Sequence, residues 1–402
     1  MIQEVNIMKK ALALLLVVVM ALGLVACGGN KSNATVYKLG GVGPLTGGAA
    51  IYGNAVQNGA KIAVDEINAL GGDIQFDLKF EDDAHDAEKS VNAYNALMDW
   101  GMQIFLGSVT STPGAATAAE SVNDGIFYLT PSASSTDVLG GVADPITGTV
   151  SIERRNNVFQ LCFMDPNQGS ASAQYIKDKA LGEKIAIIYK NDDVYSVGIY
   201  NSFKAKADEL NLNIVSTTTF TEGSKTDFSV QVDAAKAAGA DLVFLPMYYE
   251  SAALILKEAN AKNYAPKFFG VDGMDGILSV ENFDTKLAEG VMLLTPFSAD
   301  ATDAKTKAFV AEYQKRHGEV PNQFAADAYD CVYAIYEALK ASPEAKPSMS
   351  AKELGDLLAK KFTSADFSFN GVTGEGMTWG TDGAVTKSPK GMVIQNGVYV
   401  GM

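Results

Sequence analysis

Short apolar runs alternate with segments of helical periodicity along most of the chain. Residues 36–42 form a β-rich run, and residues 51–70 then carry apolar side chains at every third or fourth position. That second pattern predicts a helix with one buried face, and the pair Gly71-Gly72 is a typical helix end. Strands that alternate with helices of this length predict βαβ units and a parallel sheet.

The alternation runs twice, and an irregular segment separates the two rounds. Residues 130–157 are rich in Ser, Thr, Gly and Asp, and irregular segments of this length are usually functional or connecting. The further predicted strands are 76–80, 103–106, 126–129, 184–189, 214–220, 242–245, 267–270 and 291–294, and the further predicted helices are 87–99, 113–121, 197–210, 228–238, 251–260, 305–317, 324–339 and 351–362. We therefore predict an α/β fold of two doubly wound, parallel-sheet lobes joined by a hinge.

The loops that follow strands are the places to look for a ligand site. Ligands bind beyond the carboxyl ends of strands in open parallel sheets, so two such lobes predict a site in the cleft between them. Residues 107–113 and 130–135 offer hydroxyls and backbone amides, which suit a carboxylate, especially at a helix N-terminus. Residues 245–250 and 270–276 offer tyrosines and carboxylates. The glycines of residues 41–53 do not make a dinucleotide-binding loop, because Thr46 occupies the third glycine position.

The N-terminus has the pattern of an export signal. Lys9 and Lys10 precede an uncharged apolar run over residues 11–26, which is shorter than the roughly 20 residues of a membrane-spanning helix. The run ends in Leu-Val-Ala-Cys at Cys27 and resembles the lipobox of bacterial lipoproteins, in which the cysteine is acylated; a plain signal peptide or a short anchor is the alternative. We predict a signal peptide at residues 1–26, lipidation of Cys27 and a tether at residues 27–33, with translation starting at Met1 or Met8.

Composition narrows the function. The formal net charge is −15 at pH 7, and it becomes −16 without residues 1–26, which contain one Glu and two Lys. Such a chain has no electrostatic case for binding nucleic acid. Only two histidines are present, and neither they nor the cysteines stand in a catalytic or metal-binding motif, so we predict no enzyme activity, metal or cofactor. Cys162 and Cys331 could pair, but their apolar surroundings favour two buried thiols.

Seven short motifs occur in order along the mature chain. They are Gly43-Pro44-Leu45-Thr46-Gly47 with Tyr52-Gly53, Asp65 to Gly72, Gly107 to Ser111, Thr130 to Ser134, Tyr195 to Gly198, Asp272-Gly273 and Phe369 to Gly374. Together they resemble the Leu/Ile/Val-binding-protein family, the type I periplasmic binding proteins of ABC importers for hydrophobic amino acids. The resemblance implies one lobe of residues 34–162 and 295–343 and another of residues 163–294 and 344–402.

The resemblance also implies roles for individual residues. Ser111 and Ser134 would bind the α-carboxylate and amino group of the ligand, with help from Ser132 and Ala133, and Asp272 would pair with the ammonium. The aromatic residues that would line the site are Tyr52, Tyr195 and either Tyr248 or Tyr249, between which the sequence does not decide. The family usually has Thr at the position of Ser134 and Ala at that of Ser132, so a hydroxyl and a small residue are retained.

These features predict an exported, lipid-anchored, monomeric binding protein on the outer face of a bacterial cell membrane. It would capture a branched-chain or other hydrophobic amino acid and deliver it to an ABC permease and ATPase complex. The alternatives are a ligand-sensing ectodomain, a binder of a small amide or urea-type solute, and an extracytoplasmic hydrolase.

Overall fold

The computed structural model describes residues 35–402. The predicted signal peptide, the lipidation of Cys27 and the tether therefore lie outside the described residues. Among the helices of residues 35–402, none is both long enough and apolar enough to cross a membrane.

Two sheets organise the molecule. The first has five parallel strands in the order β2-β1-β3-β4-β5, and the second has seven strands in the order β7-β6-β8-β9-β10-β11-β12. The strands are β1 (Thr35–Gly43), β2 (Ile74–Asp82), β3 (Ile104–Gly107), β4 (Phe127–Thr130), β5 (Val158–Gln160), β6 (Ile185–Lys190), β7 (Ile214–Phe220), β8 (Leu242–Leu245), β9 (Lys267–Gly270), β10 (Met292–Thr295), β11 (Lys390–Gln395) and β12 (Val398–Gly401). The second sheet is parallel from β7 to β10, and the β11–β12 hairpin joins it antiparallel.

Eleven helices flank the sheets within residues 35–402. They are α1 (Ala50–Ala69), α2 (Ala87–Trp100), α3 (Ser111–Asp124), α4 (Thr136–Leu139), α5 (Asp165–Asp178), α6 (Val194–Glu209), α7 (Ser229–Ala237), α8 (Tyr249–Ala261), α9 (Ala304–His317), α10 (Gln323–Lys340) and α11 (Ala351–Phe362). The predicted α/β fold with parallel sheets is confirmed. Helix α5 was not predicted, because its buried face carries small and polar residues such as Gly169 and Ser172 rather than an apolar stripe.

The strand order places the candidate loops together. In each sheet the first strand lies between the second and the third, so the order reverses at β1 in one sheet and at β6 in the other. Crevices form at such reversals, outside the carboxyl ends of the strands. The loops that follow β3 and β4 in one lobe, and β8 and β9 in the other, consequently border the space between the sheets.

The C-terminal region belongs mostly to the first lobe, which corrects the predicted boundary. Phe362 of α11 packs on Phe127 and Phe159 of the first sheet, with ring centroids 4.7 and 5.7 Å apart. A Cβ on Gly355 of the same helix would collide with the carbonyl oxygen of Gly125 in the first lobe, so the glycine allows the close approach. Only the hairpin of β11 and β12 joins the second sheet, so assigning all of residues 344–402 to the second lobe was wrong.

Candidate functional site

The predicted site residues come together between the two lobes, which touch each other there. Tyr52 of α1 donates a hydrogen bond from its hydroxyl to the carbonyl oxygen of Gly273 in the second lobe and accepts one from the amide of Tyr249 at 3.2 Å. Thr112 of the first lobe also donates to the carboxylate of Asp193 in the second, at 3.2 Å. The structure is therefore that of a cleft whose walls are in contact.

The wall from the first lobe consists of the loops after β3 and β4. Ser111 is the first residue of α3, and its hydroxyl oxygen accepts a hydrogen bond from the amide of Ser135 at 3.2 Å. Ser132 donates from its hydroxyl to the carbonyl oxygen of Val109 at 2.6 Å and so ties one loop to the other. The first amides of a helix have no partner inside it, and in α3 these are the amides of Ser111 and Thr112, because Pro113 has no N–H and the amide of Gly114 donates to the carbonyl oxygen of Thr110 at 2.8 Å. The start of α3 therefore places two amides beside these hydroxyls.

Side chains behind this wall hold its backbone in place. Thr130 accepts hydrogen bonds from the amides of Ser132 and Ala133 at 3.2 and 2.9 Å. The amide group of Gln160 donates to the carbonyl oxygens of Ala133 and Ser135 at 2.6 and 2.9 Å. The loop is thus fixed by four buried hydrogen bonds, and Ala133 serves through its backbone.

The wall from the second lobe is aromatic and acidic. Tyr195 and Tyr248 stack with ring centroids 4.6 Å apart and planes inclined by 5°. Tyr195 donates from its hydroxyl to the carboxylate of Asp272 at 2.6 Å and accepts from the amide of Gly273 at 2.9 Å. Stacking holds the ring of Tyr195, and the hydrogen bond from its hydroxyl fixes the Asp272 carboxylate beside the aromatic rings.

The two neighbouring tyrosines have different positions. Tyr248 lies on Tyr195, and its hydroxyl is buried without a hydrogen-bond partner in residues 35–402. Tyr249 packs edge-on against Tyr52, with centroids 4.7 Å apart, and its hydroxyl accepts from the amide of Ile51 at 3.3 Å. Burial raises the pKa of Tyr248 well above its ordinary range, and the nearby backbone of Ser111 lowers it without a well-aligned hydrogen bond. Tyr248 is consequently the tyrosine whose hydroxyl lies beside the first-lobe wall, whereas Tyr249 joins the lobes.

The protonation of Asp272 is sensitive to its surroundings. Burial raises the pKa of its carboxyl to about 7, the hydrogen bond from Tyr195 acts in the opposite direction, and the charge of Asp327 raises it again. Asp272 is 4% exposed. A cation bound beside Asp272 would stabilise the ionised form of this carboxyl and lower its pKa.

Asp165 is a candidate site residue that the sequence patterns did not indicate. It starts α5, is fully buried, and neither of its carboxylate oxygens has a hydrogen-bond partner among the described residues. Burial raises the pKa of this carboxyl well above its ordinary range; the Ser134 hydroxyl lowers it without a well-aligned hydrogen bond, and Asp272 and Asp193 raise it further. The Asp-Pro pair after a strand was the available signal, since Pro is common at the first turn of a helix.

Several buried polar atoms of the cleft lack partners within residues 35–402. They are Ser134 Oγ, the Tyr248 hydroxyl and both carboxylate oxygens of Asp165. An unpaired buried polar group costs roughly 1–3 kcal/mol, so its persistence at one place requires an explanation such as a ligand. The arrangement suits a small molecule that carries both hydrogen-bond donors and acceptors.

A histidine beside the cleft contacts a threonine of the first lobe. His85 lies near Tyr248, with ring centroids 5.5 Å apart, but its Nδ1 contacts the Thr110 hydroxyl at 2.8 Å rather than a site serine. Burial lowers the pKa of His85 to about 4. Residues 35–402 contain no cluster of three or more His, Cys, Asp or Glu that could hold a metal ion. Cys162 and Cys331 are both buried and free, as expected for unpaired thiols.

The chain is similar to known binding proteins over nearly its whole described length. A family model described as periplasmic binding protein matches residues 36–395. The leucine-, isoleucine-, valine-, threonine- and alanine-binding protein of Pseudomonas aeruginosa is 24% identical, over 86% of this chain and 89% of its own length. The Leu/Ile/Val-binding protein of Escherichia coli K12 is 26% identical, over 81% and 84%.

Solved structures agree with this assignment. The branched-chain amino acid transporter substrate-binding protein of Streptococcus pneumoniae, solved in complex with isoleucine, superposes with a TM-score of 0.77 at 28% identity and covers 91% of this chain and 100% of its own. A leucine-binding protein of Thermotoga maritima shares the fold, with a TM-score of 0.78 at 24% identity and coverage of 91% and 97%.

Proposed function

Since the chain belongs to the periplasmic binding protein family, we propose that it is the substrate-binding protein of an ABC importer. Its cargo is an amino acid, branched-chain or otherwise hydrophobic, which it captures between the lobes. The names of its relatives support this class of cargo, because they bind leucine, isoleucine and valine or carry isoleucine in a solved complex. The relatives are solute-binding proteins and not enzymes.

The observation that carries the proposal is the chemical contrast across the cleft. A free amino acid has a carboxylate, an ammonium and a side chain. The amides at the start of α3 and the hydroxyls of Ser111 and Ser134 suit the carboxylate, and Asp272, fixed by Tyr195, suits the ammonium. The rings of Tyr195 and Tyr248 offer an apolar surface for the side chain.

The energies of these contacts are of the size that micromolar capture needs. A hydrogen bond to a charged group contributes roughly 1.5–3 kcal/mol, so four such bonds in a closed cleft contribute roughly 6–12 kcal/mol, a range that includes the roughly 8 kcal/mol of a micromolar complex. Asp165 adds a second buried carboxyl that can accept from the ammonium. The unpartnered atoms of Ser134 and Tyr248 gain hydrogen bonds at the same time.

The cellular setting completes the proposal. The family implies a location outside the cytoplasm. We assign residues 1–26 to the signal peptide and the lipid to Cys27, which would keep a monomeric clamp close to a membrane permease and its ATPase. Expression of the full chain and of Cys27→Ala tests the anchor, because only the unchanged chain should sediment with membranes and carry a diacylglycerol mass.

A ligand screen tests the cargo. The mature chain, with Cys27→Ser so that it stays unacylated, is heated with each common amino acid and with short amides, including urea. Leucine, isoleucine or valine should raise the melting temperature most, because a ligand that binds only the folded state stabilises it. A rise in melting temperature with amides alone would mean that the cargo is an amide and not an amino acid. No rise with any amino acid would refute the proposal.

A further inference from the structure

A cavity of about 770 Å³ lies between the lobes, and none of the predicted cargo-binding residues lines it. Ile51 of α1 and Tyr313 of α9 line it from the first lobe, and Leu278 and Tyr399 line it from the second. Phe297, in the connection from β10 to α9, forms another part of the wall. This volume is in the range of sites that enclose small ligands.

The wall chemistry is apolar and aromatic, with negative charge only. The carboxylates of Asp275, Asp300 and Glu319 line the cavity, and no Lys or Arg is among its lining residues. Aromatic faces attract cations, and carboxylates pair with them, whereas an anion here would meet three like charges. The complementary molecule is a small cation with an apolar body.

One short turn connects this cavity to the cargo site. Asp272 bonds to Tyr195 in the cleft, while Asp275, three residues later, lines the cavity. Gln323 of the first lobe holds both: its side-chain amide donates to the carbonyl oxygen of Asp272 at 3.0 Å, and its backbone amide donates to the Asp275 carboxylate at 2.9 Å. The hydroxyl of Tyr399 accepts from the amide of Gly276 at 3.1 Å. A molecule that contacts Asp275 and Tyr399 therefore contacts the turn that presents Asp272.

We propose that the cavity is a second ligand site, which takes a hydrophobic primary amine and strengthens cargo binding. Its walls come from both lobes, so an occupant favours the arrangement in which the lobes touch. Coupling between two sites of a protein typically changes affinity 5- to 150-fold, and it is reciprocal. The amine site is inferred from the cavity alone, whereas its effect on cargo affinity rests on the proposed function.

Calorimetry at pH 7.5 with three probes of similar shape tests the chemical class. Burial raises the pKa of Asp275 to about 6, so its carboxyl is ionised at this pH. Phenethylamine should bind the mature chain at least tenfold more tightly than 2-phenylethanol, and phenylacetate should bind least. Equal binding of the amine and the acid would overturn the proposed class.

Three variants locate the site. Val398→Trp fills the cavity from a position that is 57% exposed, and it should weaken phenethylamine binding at least tenfold. Val230→Trp is the matched control, because Val230 lies on α7, is 73% exposed and does not line the cavity. This variant should bind phenethylamine as the unchanged chain does. Asp272→Asn should also bind phenethylamine with unchanged affinity. If Asp272→Asn loses phenethylamine binding while Val398→Trp keeps it, the amine binds in the cargo cleft and the proposal is overturned.

The coupling is measured with isoleucine. Saturating phenethylamine should lower the isoleucine Kd at least fivefold in the unchanged chain and leave it unaltered in Val398→Trp. Amine binding by a chain that binds none of the screened amino acids would refute the proposed cargo and keep the second site. Isoleucine binding without amine binding would refute the second site and keep the cargo.

Discussion

The two walls of the cleft use their polar groups in different ways. In the first lobe most hydroxyls are already engaged, since Thr130 and Ser132 hold the loop backbone and Ser111 accepts from Ser135. In the second lobe the buried hydroxyl of Tyr248 has no well-aligned partner among residues 35–402, and burial raises the pKa of Asp272 to about 7, so its carboxyl changes charge near neutral pH. The first wall is therefore a preformed rigid surface, and the second supplies charge that a ligand can satisfy.

This difference suggests an order of events. A rigid wall that offers fixed donors costs little ordering when a carboxylate binds, so we expect the ligand to dock there first. Contact with the second wall would then add the ammonium pairing and favour the closed arrangement. Substitutions in the second wall should consequently have the larger effects on affinity.

The largest effect is expected for Asp272→Asn. The change removes the charge that we propose as the partner of the ammonium but keeps a similar shape, and the loss of one partner of a buried charge pair costs about 2–5 kcal/mol, or at least 30-fold in Kd. Calorimetric titration with isoleucine measures it. Asp77→Asn, at an exposed position on β2, is the control and should not alter the Kd. An unchanged Kd for Asp272→Asn would mean that this carboxyl is not the ammonium partner.

A smaller loss is expected in the first wall. Ser134→Ala should weaken isoleucine binding by about tenfold, because it removes one hydrogen bond to a charged group, worth roughly 1.5 kcal/mol. Ser134→Thr keeps the hydroxyl and should restore binding to within about threefold. If the alanine and threonine variants bind alike, the hydroxyl does not contact the ligand.

Affinity should also depend on pH through the second wall. The pKa of Asp272 is about 7 in the absence of ligand, and an ammonium beside it favours the ionised form, so binding lowers this pKa and releases a proton. Affinity then approaches its full value above about pH 8 and declines as the pH falls, by about tenfold between pH 7.5 and 6. Titrations in buffers of different ionisation enthalpy count the released proton. A flat profile would indicate that Asp272 stays ionised throughout.

The smallest effect on affinity is expected for Ser132→Ala. This hydroxyl ties two loops of the rigid wall together and does not need to touch the ligand. Its removal should lower the free energy of unfolding by about 1 kcal/mol, measured by urea denaturation, and change the isoleucine Kd by less than about threefold. A tenfold loss of affinity with unchanged stability would give Ser132 a direct role.

The sequence predicts the helices, strands and sheet type of the molecule better than the packing of individual elements. Alternating strand and helix patterns identify the parallel sheets, because each pattern reports which face of an element is buried. They do not report what covers that face, so α11 was assigned to the wrong lobe although its helix was predicted. Helix α5 was missed because all of its buried residues except Ile176 are small or polar, and Asp165 was missed with it.

The site could be predicted in part. The loops after β3, β4, β8 and β9 follow from the alternation, and the structure brings Ser111, Ser134 and Asp272 to one cleft. The choice between Tyr248 and Tyr249 depends on where consecutive side chains point at the start of α8, and only their packing reveals it. Whether a hydroxyl faces a ligand or a neighbouring loop, as for Ser132, is likewise a matter of three-dimensional contacts.

A crystal structure of the mature chain grown with isoleucine would show whether the cleft binds an amino acid and in which orientation. We predict one isoleucine between the lobes, with its ammonium within hydrogen-bond distance, about 3 Å, of the Asp272 carboxylate. Its carboxylate should lie at the same distance from the start of α3 or from the Ser134 hydroxyl. An isoleucine bound in the opposite orientation, or outside this cleft, would contradict the proposed roles of Asp272 and Ser134.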